Sequence, residues 1–415
     1  MKTQFCFLFL LASAAAFATP SVTITSVEQD SSFNRVKVSY SLTEDAVVTW
    51  SATTNSVAVS PQKLTRVWGD INRKIVAPGG TFFWAGAEEL NNFNEVVASL
   101  NITLTAWPTN DPPDYMVVDC AGKSNVTYYV SAEAVPFGVT NNLYKTTKMV
   151  MRKIPAKGVT WKMGSPADEA GRSTADGATY EVRHNVTLTE DYYIGIYPMT
   201  QRQYVSFTES NPSYWNRTRC TVWMTRPVEN ISFNTIRGDK SVAPWNATTP
   251  SHSVGGTLLK MRGATGIKFD LPTDAQWEYA CRAGTSTSFS NGTGSIDGLG
   301  WYSGNWSQDP DLTANMTHIV GLLQPNKWGL YDMHGNVYTW CLDWNGALNT
   351  STAVIDPAGP ATDPSHNARI RRGGCYNHTW EWARSAAHRS YTASSPAETI
   401  GFRVVAPAAG YWTHE

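Results

Sequence analysis

The residues best placed to do chemistry lie in one short run, Arg371-Arg372-Gly373-Gly374-Cys375-Tyr376-Asn377-His378. A cysteine followed three residues later by a histidine on a loop can form a thiolate–imidazole pair. Arg371, Arg372 and His378 would favour the thiolate if they lie close to it in space, because nearby cations lower a thiol pKa. The competing expectation is a buried or disulfide-bonded Cys375 beside a surface His378, since metal sites need three or four ligands. Past Cys6 the chain holds five cysteines, an odd number, so at least one thiol stays free or pairs with another chain. Cys281 falls on the inward face of a predicted helix, and Cys341 in the aromatic stretch Trp340-Cys341-Leu342-Asp343-Trp344. Both read as small buried hydrophobes. Cys120 and Cys220 lie in loop-rich segments and could bridge. That leaves Cys375 as the expected alkylatable thiol.

The elements around these residues follow from pattern. Met1 to Ala18 has the form of a secretory signal: Lys2, an apolar run of 14 residues from Phe5, and Ala16-Phe17-Ala18 before Thr19. The run is too short for a membrane span, so no transmembrane anchor is expected. The predicted destination is secreted, periplasmic or cell-surface. Residues 19–107 alternate with period two, as in Val22-Thr23-Ile24-Thr25, Arg35–Tyr40, Ala46–Trp50 and Leu100–Thr105. Short β-branched runs without a clear helix predict a small all-β sandwich of immunoglobulin or fibronectin-III type. Residues 108–145, opening on Pro108-Thr109-Asn110-Asp111-Pro112-Pro113, read as a linker or crossover strand. A second domain is expected over 146–406, with a tail at 407–415. Within it, Thr200-Gln201-Arg202-Gln203 and Thr273-Asp274-Ala275-Gln276 are capping boxes, each opening a helix.

Composition narrows the function classes. Net charge is −1, and Arg371-Arg372 stands out as a basic pair without any longer Lys/Arg run, so nucleic acid is not an expected partner. The chain holds 17 Trp and 18 Tyr, which suit either core packing or an aromatic groove for a protein, peptide or glycan ligand. Eleven Asn-x-Ser/Thr sequons run from Asn101 to Asn377. They fit a glycosylated secretory protein or a Thr/Asn-rich bacterial export.

Seven blocks in order carry a family resemblance: Trp161–Pro166, Tyr192–Thr200, Pro227–Phe233, Leu271–Ala280, Gly329–Val337, Arg372–Gly374 and Gly401–Val404. Together they resemble the formylglycine-generating enzyme, or sulfatase-modifying factor, family over about residues 145–406. The resemblance implies an irregular α+β fold like that of C-type lectins, with one or two calcium ions. Active members oxidise a cysteine of a sulfatase to formylglycine with O2 and copper, the copper held by a Cys-x4-Cys pair. Here that pair would fall near His378 and Ala383, and Cys375 has Trp380 five residues on. Copper is therefore not expected. An iron-dependent variant on this scaffold needs a His-rich partner domain, and no His precedes residue 145.

The family's calcium loop maps onto Asp332, Gly335, Val337 and Thr339, the last replacing a carboxylate, with Asn305 at a second site. Two functions follow. One is an exported, non-catalytic binding or surface module. The alternative is a metal-dependent oxidase acting on a sulfatase or other protein cysteine, with Cys375 and His378 as its catalytic candidates.

Overall fold

The computed structural model describes residues 19–30, 35–90, 99–121, 126–173, 180–238, 256–308, 314–346, 353–360 and 367–408. The expected signal segment, 1–18, and all but the first two residues of the expected tail lie outside them.

The period-two segments become strands. One antiparallel sheet runs Val22–Asp30, Arg35–Leu42, Gly79–Trp84, Val67–Gly69. A second is built on Ala46–Thr54, which pairs with Val57–Ala58, Arg73–Ile75 and the whole of Leu100–Pro108. Val38, Tyr40, Ala46, Val48, Ile75 and Phe82 of these strands share one apolar cluster. Alternation is the cause: Val38, Tyr40 and Leu42 are buried while their neighbours Ser39 and Ser41 are part-exposed.

The stretch 108–145, expected as a linker or a crossover strand, carries strands. Tyr115–Asp119 and Val126–Tyr129 are two strands of a five-stranded antiparallel sheet that continues through Lys148–Ile154, Tyr192–Gly195 and Val405–Pro407. The flanking prolines masked the signal. Met116-Val117-Val118 is a short apolar run, buried on both sides, and such a run has no period to read.

Both capping boxes form as the sequence dictates, over helices Gln201–Thr208 and Asp274–Arg282. Every residue of Asp274–Arg282 is buried, including its two acids and its arginine. Helices Phe233–Arg237 and Thr257–Thr265 were not expected from the sequence. The second starts at Gly256 without a side-chain cap, so the local start signal is missing. No helix among the described residues is long and apolar enough to cross a membrane.

A four-stranded sheet carries the chemistry-bearing run. Its order is Arg389–Thr392, Ala368–Arg372, Tyr338–Trp344, Ile400–Gly401. Trp277, Trp340, Tyr338 and Phe402 are almost fully buried around it, so these aromatics serve mainly as core.

Candidate functional site

Strand Ala368–Arg372 ends in a left-handed turn, Gly373 at φ 95° and Gly374 at φ 71°. A Cβ at Gly374 would lie 2.9 Å from Ala383 Cα, so glycine is required by space as well as by conformation. The turn tucks Cys375 inward, where it is 1% exposed. Its Sγ donates to Asn377 Oδ1 at 3.1 Å. Burial pushes the thiol up to about 12, outweighing the opposing effects of the Asn377 backbone, of Arg371 and of the His378 backbone. Burial thus works against the thiolate that the sequence suggested, because desolvation disfavours the charged form. All five described cysteines are free, and Cys220 is the one that is not buried.

His378 is not engaged with Cys375 through its ring. Nδ1 lies 2.9 Å from the Tyr338 hydroxyl, and the ring packs against Tyr338 and Trp382 at 5.6 and 4.9 Å between centroids. Burial, Arg371 and Arg389 all depress its proton affinity. Arg371 stands over Tyr338 at 4.3 Å and over Tyr391 at 4.9 Å, and Arg389 over Trp382 at 4.1 Å. The result is a part-exposed face of two arginines, a neutral imidazole and aromatic rings. It can bind a ligand.

Arg372 points the other way. It donates to Asp274 Oδ1, to Glu278 Oε2 at 2.8 Å and to the carbonyls of Ser385 and Ala387. Glu278 also accepts from Arg282 Nε and from the Gly164 amide, each at 2.8 Å. Asp274 is held well below the usual carboxylate range by Arg372 and His388, against the effect of burial. Asp343 is pushed well above that range by burial and by Asp274. A cavity of about 290 Å³ opens beside this pair, lined by Met163, His184, Val354 and Pro357 among others. Neither Cys375 nor His378 borders it.

One cysteine–histidine contact was missed. Cys281 Sγ lies 3.6 Å from His334 Nε2. His334 Nδ1 is 2.8 Å from the Ala383 carbonyl, so Nδ1 carries the proton and Nε2 accepts from Ser290. Burial pulls His334 down to about 4 and pushes Cys281 up to about 12, which makes the pair a packed, uncharged contact. The two residues are 53 apart in sequence, and no spacing rule connects them.

The residues named for calcium fit only in part. Asp332 Oδ2 accepts from the Gly321 amide at 2.7 Å, and Oδ1 is buried without a partner, as a hard-cation ligand would be. Arg403 and the buried Lys145 already act on this carboxylate as positive charges. The Gly335 carbonyl accepts from the Val337 amide, and Thr339 is a buried strand residue paired with Arg372. The Asn305 amide is spent on its own turn, accepting from Tyr302 N and donating to Gly300 O, both at 2.9 Å. One free carboxylate oxygen is short of the six to eight oxygens calcium takes. No cluster of three His, Cys, Asp or Glu residues suited to a metal is present among the described residues.

Known proteins bear on this geometry. A chaperone protein LppX of Paenibacillus barcinonensis is 28% identical over 56% of this chain and 84% of its own. The formylglycine-generating enzyme of Streptomyces coelicolor is 35% identical over 32% of this chain and 45% of its own. The bovine enzyme is 31% identical over 33% and 38%. The chain thus spans less than half the length of the formylglycine-generating enzymes it matches. Among solved structures, Treponema denticola variable protein 1 aligns with a TM-score of 0.50 at 21% identity, covering 63% of this chain and 96% of its own, a likeness of fold. The sulfatase-modifying factor enzyme 1-like domain matches residues 142–408, and the chain belongs to that family.

Proposed function

We propose that the chain is an exported, non-catalytic member of the sulfatase-modifying factor family, a binding or surface module for a protein, peptide or glycan ligand. The observation that carries this reading is the loop after Gly374. His378 and Ala383 stand where the family's two copper thiolates would fall, and Cys375 beside them is buried and protonated. Copper chemistry on a substrate thiol needs soft thiolate ligands, and the loop offers none. The part-exposed rings and arginines around Tyr338 supply the ligand face instead. In this reading the N-terminal sheets form an immunoglobulin- or fibronectin-III-like spacer, and the signal at residues 1–18 directs export.

The test is direct. Purified protein is incubated with a Cys-x-Pro-x-Arg peptide, Cu(I) and air, and the peptide is weighed by mass spectrometry. No thiol-to-aldehyde conversion is expected. Conversion at useful rates, or stoichiometric copper or iron in the purified protein, would return the chain to the oxidases.

A further inference from the structure

The cavity of about 290 Å³ beside Asp343 has walls of two kinds. Met163, Ala275, Val354 and Pro357 give it apolar sides, and Asp274, Asp343 and His184 bring its titratable groups. Two of these three are engaged elsewhere. Asp274 Oδ1 accepts from Arg372, and its Oδ2 lies 3.2 Å from His388 Nδ1. His184 Nδ1 is 2.8 Å from the Val182 carbonyl and so carries the proton, which leaves Nε2 as an acceptor. Asp343 differs. It is 5% exposed, and its Oδ2 accepts from the Asp274 amide at 2.7 Å. Oδ1 has no hydrogen-bond partner among the described residues and is the oxygen Asp343 has left to offer the cavity. Gly359, at φ 75°, packs over this side chain so closely that a Cβ there would lie 2.8 Å from Asp343 Cβ. A carboxyl oxygen on a buried, largely apolar wall is unfavourable until a donor meets it.

The field on that oxygen favours a positive charge. Burial and Asp274 oppose ionisation of Asp343, Arg372 and Arg369 favour it, and the balance keeps its proton up to about 8. Arg372 is bonded to Asp274 and Glu278, and Arg369 donates to the Leu342 carbonyl. Cys341 on the same strand is a neutral thiol. Across the cavity, the charge carried by the 353–360 loop is Asp356, which accepts from Thr189. A site that holds a proton at neutral pH holds another cation through the same field.

We propose that this cavity binds a small organic ammonium ion, its charged head on Asp343 Oδ1 and its apolar body against Met163, Val354 and Pro357. On binding, the Asp343 O–H bond breaks, the proton passes to the buffer, and an ammonium N–H donates to the carboxylate. The cavity lies apart from Cys375 and His378, so the inference stands independently of the non-catalytic reading.

The probes are cyclohexylammonium, cyclohexanol and cyclohexanecarboxylate, which share one body, titrated by calorimetry into the full chain. The ammonium ion should bind saturably, and the alcohol and the carboxylate about tenfold or more weaker, the scale of a lost charge-assisted contact. Its affinity should rise close to tenfold per pH unit from about pH 6 to 7 and level off above about 8, with about one proton released per ligand at the lower end. Asp343→Asn should lose about tenfold or more in affinity together with the pH slope. Should that variant fail to fold, Ala358→Leu on the part-exposed loop fills the cavity and leaves the carboxyl in place. It should exclude the ammonium ion and keep the wild-type dependence of melting temperature on pH. A lysine side chain has the same chemistry, so Nα-acetyl-lysine methylamide is run alongside, and the tighter of the two names a free amine or a peptide lysine as the occupant. Three results overturn the proposal: no saturable binding of either ammonium ion, equal binding of the alcohol or the carboxylate, or unchanged affinity in a folded variant of either kind.

Discussion

Arg371 and Arg372 are neighbours on one strand and live in opposite electrostatic worlds. Arg372 is enclosed with Asp274 and Glu278, and those carboxylates are in turn bonded to His388, Arg282 and the Gly164 amide. Arg371, on the other face, is balanced by rings. The pleat sends consecutive side chains to opposite faces, so one residue type serves two ends. A fully paired buried charge holds the fold in register, whereas a half-buried one over aromatic rings stays partly open to solvent. Local sequence cannot distinguish them.

The comparison breaks most easily at Arg372. Arg372→Met should strand two buried carboxylates and cost about 3–5 kcal/mol, whereas Arg371→Met should cost about 1 kcal/mol or less, the scale of lost ring contacts. Urea unfolding of the two variants measures the gap. Equal losses would erase the distinction between the faces.

A second test uses pH. The folded-state pKa of Asp343 is raised above the unfolded value of about 3.9. Its contribution is therefore fully present below that value and is lost as pH rises through the raised one. Asp274 runs the other way: its depressed pKa gives stability above the ordinary aspartate value that is lost in acid. Asp343→Asn should flatten the decline in melting temperature between mildly acidic and mildly alkaline pH and leave the acid limb in place. An unchanged slope would mean that Asp343 ionises normally in the fold.

Tyr338→Phe removes the hydroxyl that holds His378 Nδ1. The expected loss is about 0.5–1.5 kcal/mol, and the His378 ring should become more mobile by NMR. A cost well beyond that range would assign Tyr338 to the core alone. The smallest effect concerns thiols. Iodoacetamide should label Cys220 in the native protein and reach Cys375 only after unfolding, because Cys375 is buried and protonated. Native labelling of Cys375 in peptide maps would restore the reactive thiol that the sequence suggested.

Much of the fold was written locally. The capping boxes at Thr200 and Thr273 specify helix starts through bonds three residues apart, and the alternation of Arg35–Leu42 specifies a half-buried strand. The motif blocks specify the family, and the two glycines after Arg372 specify a turn. Tertiary structure decided the rest, because burial and charge pairing depend on residues far away in sequence. Cys375 lies close in sequence to Arg371, Arg372 and His378, a pattern suggesting an activated thiol, yet desolvation outweighs its cations. Cys281 meets His334 only through the folding of a helix onto a distant loop. Arg372 finds Asp274 and Glu278 nearly a hundred residues away, while Arg371, one position earlier, lies among Tyr338, Tyr391, Cys375 and Arg389. Sequence determines which groups exist and which local elements carry them. Long-range packing sets the solvation and partners of each charge, and those two quantities decide whether it holds the fold or faces a ligand.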